Sequence, residues 1–257
     1  MPENVESNGG ADVNIAVIVP VWDNNEQQFL YTSNGLQGLE KSIGVETFVI
    51  DNGSPYEKTK ELLTYYATKP NFHLIRNKEN KGYGPALNQG LLWAYQNKHE
   101  YFICMNNDIM YAYDRWYEEL IKRLDENSKR LVGPRLIKDN NWVLVDGKHT
   151  KYLEGWCLAF RSCFLEDVGF FDEDFVPAWA EDVDISWRAE KNGYELYEEP
   201  NVAVMHAFGR TGYDGRLDFR GLTRKNCDLH AAKVRSNDFA WRGTELLVKE
   251  QMKMMRG

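Results

Sequence analysis

The 257-residue sequence lacks any apolar run near the ~18–20 residues that a membrane-spanning helix needs. Its start is polar and acidic, unlike a secretory signal peptide. We therefore expect a soluble, cytoplasmic protein in which residues 1–12 are disordered. The sequence also contains no Pro- or Ser-rich linker and no internal repeat, which favours one domain over two.

Cysteine is scarce, and its spacing excludes two common uses. No Cys-x-x-Cys pair and no zinc-type cluster occurs among Cys104, Cys157, Cys163 and Cys227. Each cysteine lies within or near apolar sequence, so we expect reduced, mostly buried thiols, as in a reducing compartment.

Positive charge is in deficit: 31 Lys and Arg residues stand against 39 Asp and Glu residues, which gives a formal net charge of −8. Because binding to a nucleic-acid backbone depends on Lys and Arg that neutralise phosphates, we expect no direct nucleic-acid backbone binding. A nucleotide ligand is compatible with this charge, since a metal ion and a few local donors can hold its diphosphate.

What the sequence does contain is an alternation of strand and helix patterns in its first hundred residues. Asn14–Pro20 is almost entirely apolar and β-branched, which predicts a strand buried on both faces. Further strands are predicted at 46–50, 73–75 and 101–105, and helices at 57–67 and from Pro85 onward. This alternation predicts an α/β fold with a mostly parallel central sheet flanked by helices.

The second half has a more mixed pattern, which predicts a small mixed β region. Strands are predicted at 131–132, 143–145, 156–160 and 202–205, and a helix at 181–192 that ends before Gly193.

A helical tail is predicted at the C-terminus. Leu247, Val248, Met252 and Met255 share one helical face there, with basic residues close by. Such a face suits packing on the domain, and also a peripheral membrane contact or a dimer contact through the C-terminal helix.

Polar residues follow three of the predicted strands. Asp51 comes after the second strand, the loop at 77–84 after the third, and Asn106–Asp108 after the fourth. Each of them alone is explained equally well as a turn or a helix cap. Ligands of open parallel sheets bind outside the carboxyl ends of the strands, so three such ends in succession favour one shared crevice.

A metal site is predicted at Asp108, because a hard divalent cation prefers carboxylate oxygen and can share it with a diphosphate. The two asparagines before it are neutral, so the ligand must supply much of the negative charge, and metal binding without nucleotide should be weak. His206 is either a structural hydrogen-bonding group or a second ligand. Imidazole suits Mn²⁺ better than Mg²⁺.

Three carboxylates, Glu181, Asp182 and Asp184, stand at the start of a predicted helix. They either complement the helix dipole or include a general base, whose pKa is raised by the clustering and lowered by the dipole.

Two further features have both a structural and a functional interpretation. Trp156 and Trp179 either belong to the core or stack on a sugar or a base. The Gly- and Arg-rich stretch at 209–221 is either a solvated connection or a mobile loop that brings Arg210 or Arg216 to a diphosphate.

The order of these motifs resembles the GT-A glycosyltransferases of family 2 over about residues 14–210. Val17–Val21 is similar to the first strand of that family, Val49–Ser54 to its nucleotide-binding turn, and Asn77–Asn88 to its donor-side loop and helix. Met105–Asp108 stands where the family has an Asp-x-Asp metal motif, although only Asp108 is acidic here. Residues 169–173 and 180–185 resemble the acceptor-side region of the family, and residues 200–206 resemble its closing strand.

The resemblance implies a single GT-A (Rossmann-like) domain at 13–222 and a C-terminal helical extension at 223–257. It also implies a metal-dependent, inverting transferase of the hexosyltransferase type with Mn²⁺ (or Mg²⁺) as cofactor. The sugar would pass from a nucleotide-sugar donor to a hydroxyl of a glycan or another acceptor. UDP-hexose is the favoured donor, and dTDP-rhamnose is the alternative.

Individual roles follow from the same resemblance. Asp182 corresponds to the inverting base, and Asp108 and His206 to the metal ligands. Contact with the acceptor or the sugar is implied for Trp156, Trp179 and Glu181. Contact with the nucleotide is implied for Pro20, Asp51, Asn80, Gly82, Asn88, Asn107 and Arg210.

Two other functions fit parts of the pattern. An NAD(P)-dependent dehydrogenase needs Gly-x-Gly-x-x-Gly after its first strand, where this sequence has Val21–Asn25. A catalytically silent module that binds a nucleotide-sugar or a carbohydrate would need much the same pocket, and the retained acidic cluster argues against it.

Overall fold

The computed structural model describes residues 14–138, 144–145, 148–149, 151–207 and 219–236. Its strands are β1 (Ile15–Val21), β2 (Val45–Asp51), β3 (Phe72–Arg76), β4 (Tyr101–Met105), β5 (Ile109–Tyr111), β6 (Arg130–Gly133), β7 (Leu136–Ile137), β8 (Leu144–Val145), β9 (Lys148–His149), β10 (Tyr152–Leu153), β11 (Cys157–Arg161), β12 (Glu195–Glu198) and β13 (Val204–His206). Its helices are α1 (Glu26–Glu40), α2 (Glu57–Tyr66), α3 (Tyr83–Gln96), α4 (Glu118–Glu126), α5 (Ser162–Asp167), α6 (Glu181–Lys191) and α7 (Phe219–Ser236).

The central sheet has seven strands in the order β12-β6-β11-β4-β1-β2-β3. β1 pairs in parallel with β2 and β4, and β2 pairs in parallel with β3. β11 runs antiparallel to both of its neighbours, β4 and β6. Short two-stranded pairs add the mixed β region. The predicted α/β fold with a mostly parallel sheet is confirmed.

The burial of β1 on both faces explains its unbroken apolar sequence. All seven of its residues are buried. Because side chains of a strand alternate between faces, Val17 and Val19 pack with residues of α1, α2 and α4, whereas Ala16 and Ile18 pack with residues of α3. Helices therefore cover both faces of the sheet, and the strand ends are left as its open edge.

Two element boundaries differ from the prediction by two residues. α3 begins at Tyr83 rather than Pro85, because the preceding Gly82 adopts a φ of 102° that few other residues tolerate. β13 begins at Val204 rather than at residue 202, since it pairs with β5 in a register that sets His206 opposite Ile109. His206 is thus the last residue of a strand instead of the residue after one.

The C-terminal part of the chain is described as far as Ser236. α7 crosses the boundary predicted between residues 222 and 223, and that division stays a prediction. The predicted apolar face at 247–255 and the predicted disorder of residues 1–12 lie outside the described residues. No helix within the described ranges has the length and apolar character that crossing a membrane requires.

The packing of α1 gives a stability prediction. A Cβ atom at Gly35 would lie 2.9 Å from the carbonyl oxygen of Asn107 and 3.3 Å from that of Ile109, so α1 sits directly on this backbone. Gly35→Ala gains ~1 kcal/mol of helix propensity but overpacks the contact at a cost of about 1–3 kcal/mol. We expect a net loss in the free energy of unfolding, measured by urea denaturation. The neighbouring, exposed Asn34→Ala is the control, and a Gly35→Ala protein as stable as this control would contradict the expectation.

Candidate functional site

The ends of β1 and β4 meet through the carboxylate of Asp23, two residues after β1. This side chain is fully buried and accepts hydrogen bonds from the Thr32 hydroxyl (3.0 Å), the Thr59 hydroxyl (2.8 Å) and the Asn107 amide (3.2 Å). Burial raises the pKa of Asp23 to about 6, against the lowering effect of these bonds. The network ties α1 and α2 to the turn that carries Asp108.

The end of β2 is joined to the loop before α3 by the side chain of Asn52. Its amide donates to Asn80 Oδ1 (2.9 Å) and to the Gly82 carbonyl (3.0 Å). Its oxygen accepts from the Asn77 amide and from the Lys81 backbone N–H, both at 3.0 Å. The predicted nucleotide residues Asn80 and Gly82 are therefore held directly against the end of β2.

Asp51, the last residue of β2, is buried at the same edge. Its Oδ1 accepts from the backbone N–H of Ser54 (2.9 Å), and Oδ2 lies 3.8 Å from Nε of Arg76. The Ser54 hydroxyl in turn accepts from the backbone N–H of Asp23 (3.1 Å). Pro20 lies within β1 opposite Ile50 of β2. The structure thus brings three of the predicted nucleotide residues, Pro20, Asp51 and Asn107, to adjoining strand ends.

Asp108 and His206 face each other beyond β4. Asp108 Oδ1 lies 3.1 Å from His206 Nε2, and both side chains are largely buried. The Asn106 amide also approaches Nε2, at 3.2 Å. The role of Nε2 in these two contacts depends on the imidazole tautomer. In the neutral form that carries its proton on Nδ1, Nε2 presents a lone pair beside the carboxylate oxygen.

This donor set fits a divalent cation. Asp108 Oδ1 is buried and accepts no hydrogen bond from the described residues. Neighbouring ligands of an octahedral ion at ~2.1 Å lie about 3 Å apart, which matches the measured separation of the two atoms. Among the described residues no group of three or more His, Cys, Asp and Glu side chains is arranged to hold a metal. Further ligands would come from water or a bound diphosphate.

Trp156 lies next to His206. Its indole stacks on the His206 ring at 5.0 Å between ring centres and 11° between planes, and its Nε1 donates to Glu154 (2.9 Å). The ring is partly exposed, and it fixes the imidazole plane. The structure thereby relates this predicted sugar contact to the predicted metal ligand.

The hydroxyl of Tyr83 links this cluster to the acidic cluster on α6. It lies 2.8 Å from Asn106 Oδ1 and 3.1 Å from the Gly155 carbonyl. The backbone N–H of Gly155 donates to Asp182 Oδ2 (3.1 Å). Burial raises the pKa of Tyr83 well above its ordinary value, and Cys104, Glu181, Asp182 and Asp108 add to the shift. The hydroxyl therefore stays neutral within the field of the acids.

The acidic pair at the start of α6 has raised proton affinity. Desolvation raises the pKa of Asp182 to about 6, although the N–H groups of Gly155 and Val183 bind its oxygens and oppose the shift. Burial and then the charge of Asp182 raise the pKa of Glu181 to about 8. The two acids are adjacent and influence each other, so as a pair they bind a proton more readily than isolated carboxyl groups do. The backbone before the pair is strained, since Trp179 and Ala180 have φ of 77° and 71°.

Two of the predicted residues lie away from this arrangement. Asp184 is fully buried and forms an ion pair with Arg188 (2.8 Å) inside the domain, so its role is structural. Asn88 is also buried, and its amide bonds to the Phe171 carbonyl (2.8 Å) and to Glu173 (2.9 Å) instead of facing the strand ends. Arg210 lies outside the described residues.

Three residues at the centre of the site were not among those predicted: Asp23, Asn52 and Tyr83. Asp23 carries the same signal as Asp51, an acid just after a buried strand. Asn52 follows Asp51 directly, and its role in bracing a loop depends on long-range contacts. Tyr83 stands between two glycines, a pattern that indicates a turn and does not reveal where the hydroxyl points.

Comparison with known proteins places the chain in a wider context. The model of "Glycosyl transferase family 2" matches residues 16–185. The chain is 24% identical over 222 residues to a pre-mycofactocin glycosyltransferase of Mycobacterium tuberculosis, covering 77% of this chain and 43% of the relative. It is 24% identical over 176 residues to a poly-β-1,6-N-acetyl-D-glucosamine synthase of Staphylococcus aureus, covering 60% and 41%. The chain thus spans less than half the length of these relatives.

Solved structures show the same fold. The mannosyltransferase PcManGT of Pyrobaculum calidifontis, in complex with GDP-Man and Mn²⁺, matches with a TM-score of 0.59 and 16% identity over 94% of this chain and 80% of that one. S. aureus TarS 1–349 in complex with UDP matches with a TM-score of 0.51 and 20% identity over 70% and 55%. These likenesses confirm the predicted GT-A fold.

The loop contact of Asn52 gives a second prediction. Asn52→Ala removes the partner of the Lys81 backbone N–H. It also removes one of the two partners of the Asn77 amide and of the Gly82 carbonyl, and the expected cost is about 1–3 kcal/mol. We expect the free energy of unfolding to fall by that amount and the Lys81 amide to exchange faster with deuterium. Asn97→Ala, which removes one exposed bond to the Trp93 carbonyl, is the control. Equal exchange at Lys81 in wild type and Asn52→Ala would contradict the role of this side chain.

Proposed function

Because this chain belongs to glycosyl transferase family 2, we propose that it is a metal-dependent, inverting glycosyltransferase that moves a sugar from a nucleotide-diphosphate sugar to an acceptor hydroxyl. The observation that carries the proposal is the hydrogen-bonded path from Asp108 and His206 through Asn106, Tyr83 and Gly155 to Asp182. The Tyr83 hydroxyl lies in the middle of this path. The groups that we propose as the cation site and the base lie at its two ends.

The donor side comprises the strand ends and the cation site. We propose that Pro20, Asp51, Asn80 and Gly82 bind the nucleotide, with Asn107 close by. Asp108 and His206 would hold a divalent ion, Mn²⁺ or Mg²⁺, whose charge stabilises the departing diphosphate. The exposed edge of the Trp156 ring, stacked on His206, would lie next to the transferred sugar.

The acceptor side is centred on Asp182. An ionised carboxylate with a pKa near 6 can take a proton from an acceptor hydroxyl as it attacks the anomeric carbon from the face opposite the leaving group, which inverts the configuration. The two N–H groups that bind its oxygens keep it oriented. The raised pKa of Glu181 favours the uncharged form of this neighbour. Trp179 and Glu181 would contact the acceptor or the sugar.

The donor is proposed as a UDP-hexose, with dTDP-rhamnose as the alternative. GDP-mannose is added to the donors to be tested, because the structural match PcManGT was solved with GDP-Man. TarS was solved with UDP, which supports testing UDP-sugars. We further propose a catalytic domain at 13–222 with a C-terminal helical extension at 223–257. Incubation of the protein with each donor, with mass detection of released nucleotide, tests these choices together.

The base assignment predicts the effect of one oxygen-to-nitrogen change. Asp182→Asn cannot accept the proton, so kcat should fall by about 10²–10⁴-fold, with donor binding unchanged within about twofold. Glu190→Gln, on the same helix and paired with Lys151, is the matched control. Wild-type turnover in Asp182→Asn would remove Asp182 from this role. Donor binding without transfer or hydrolysis in the wild type would favour a silent binding module.

The raised pKa of Asp182 predicts the pH dependence. A base works in its ionised form, so kcat/KM should rise with pH and level off above about 6. Below that value it should fall about tenfold for each pH unit, because the ionised fraction falls by that factor. A profile that stays flat from pH 7 down to pH 5 would contradict the assignment.

The metal proposal predicts that metal and nucleotide bind together. Calorimetry should show UDP binding strengthened at least about tenfold by Mn²⁺, since the diphosphate completes the coordination. Asp108→Asn and His206→Ala should each lose most of that gain. His73→Ala, which removes an imidazole bonded to Glu46 outside the site, is the control. Mn²⁺-independent UDP binding that Asp108→Asn leaves unchanged would overturn the metal assignment.

A further inference from the structure

α7 lies outside residues 16–185, the part of the chain that the family model matches, yet it presses three polar side chains into the domain. Asn226, His230 and Lys233 are spaced by four and three residues, so they share one face of the helix. Asn226 and His230 are fully buried, and Lys233 is nearly so. All three reach the segment at 172–184 that leads into α6 and carries the acidic pair.

Asn226 contacts the strained turn at the start of α6. Its amide nitrogen donates to the carbonyl of Ala178 (2.8 Å) and to that of Trp179 (3.0 Å). Trp179 and Ala180 both have left-handed backbone angles, a conformation that costs side-chain-bearing residues ~1–3 kcal/mol and persists only where the surroundings enforce it. α6 also lacks a side-chain cap at Ala180. The amide of Asn226 instead binds the two carbonyls that precede Ala180, from outside the turn.

The other two side chains hold the flanks of the same segment. Lys233 Nζ lies 2.7 Å from Asp172 Oδ2 and 2.5 Å from Asp174 Oδ2, before the turn. His230 Nδ1 lies 3.6 Å from Asp184 Oδ1, after the turn. Asn226 therefore lies between two further contacts, and α7 contacts the segment near both ends and at the turn.

The position of the turn decides where the acidic pair lies. Asp182 comes two residues after Ala180, and its oxygens bond to the N–H groups of Gly155 and Val183. A Cβ atom at Gly155 would lie 2.9 Å from Cβ of Asp182, so the backbone of Gly155 packs directly against the side chain of Asp182. The charge of Asp182, after burial, also raises the pKa of Cys227 on α7 to about 11, so this part of α7 lies near the pair.

We propose that Asn226 is a positioning residue, and that α7 completes the acceptor side of the site by holding the Trp179–Ala180 turn so that Asp182 faces the acceptor. This inference rests on the proposed function. Asn226 itself touches neither substrate nor the reacting atoms. The extension proposed from residue 223 would then contribute, through its α7 residues, to the site of the catalytic domain.

The test compares Asn226→Ala and Asn226→Ser with wild type in the full chain. Because displacement of a base by about 1 Å lowers rates by up to about 10²-fold, we expect kcat to fall about 10- to 100-fold with the donor KM within about threefold. The serine variant, which keeps one donor, should fall less. Asn192→Ala, which removes an amide bond to the Arg188 carbonyl at the other end of α6, should keep wild-type kinetics.

The pH profile separates positioning from a general loss of stability. The N–H groups of Gly155 and Val183 lower the pKa of Asp182, so a displaced turn that weakens those bonds should raise it. The acidic limb of kcat should therefore move to higher pH in Asn226→Ala and stay in place in Asn192→Ala. Deuterium exchange of the amides at 176–184 should also become faster in the Asn226 variants alone.

Two outcomes decide the matter. Wild-type kcat, pH limb and exchange at 176–184 in both Asn226 variants would overturn the proposal. If the alanine variant does not fold, the serine variant is judged by the same three measurements. Absence of sugar transfer by wild type with every donor would instead refute the proposed function, and the exchange comparison would still decide whether Asn226 holds the turn.

Discussion

The arrangement of the whole site depends on one phenolic hydroxyl held between two strand ends. The Tyr83 hydroxyl bonds to Asn106 after β4 and to the Gly155 carbonyl just before β11. Asn106 contacts His206, which faces Asp108, and Gly155 contacts Asp182, the proposed base. Tyr83 also donates its backbone N–H to the Pro177 carbonyl (2.8 Å), which leads into the turn before α6. The surrounding carboxylates would repel a negatively charged phenolate at this position, so the neutral phenol is the favoured form.

The site also limits its own negative charge. Neutral Asn106 and Asn107 precede Asp108, burial raises the pKa of Glu181, and hydrogen bonds enclose the carboxylate of Asp23. A diphosphate brings several negative charges, and every additional carboxylate in a low-dielectric pocket would oppose its entry. Under the proposed function, these features would reduce the repulsion between a net acidic protein and its anionic donor.

Much of the fold could be predicted from local pattern, and much of the site could not. The buried β1 and the polar ends of β2 and β4 are visible in the sequence, because burial on both faces leaves an apolar run and ligand edges collect polar residues. The four-residue strand β12 was not predicted, since its mixed polarity resembles a loop. α4 was also not predicted, although Leu120, Ile121 and Leu124 recur at helical spacing and its sequence carries that signal. Tyr83 and Asn226 act through partners at least 23 and 47 residues away, respectively, and no local pattern encodes such contacts.

The reversed direction of β11 within the sheet has a consequence for how acceptor preference can change. Because β11 runs against β4, Cys157 lies opposite Met105, and the chain enters the sheet at the edge where ligands bind. The described end of the connection from β6, residues 151–156, therefore joins the sheet at the edge that holds Gly155 and Asp182. Under the proposed function, exchanges at this end would alter contacts to the acceptor, while the register of the parallel strands proposed to bind the donor would stay unchanged. The two specificities could then diverge independently.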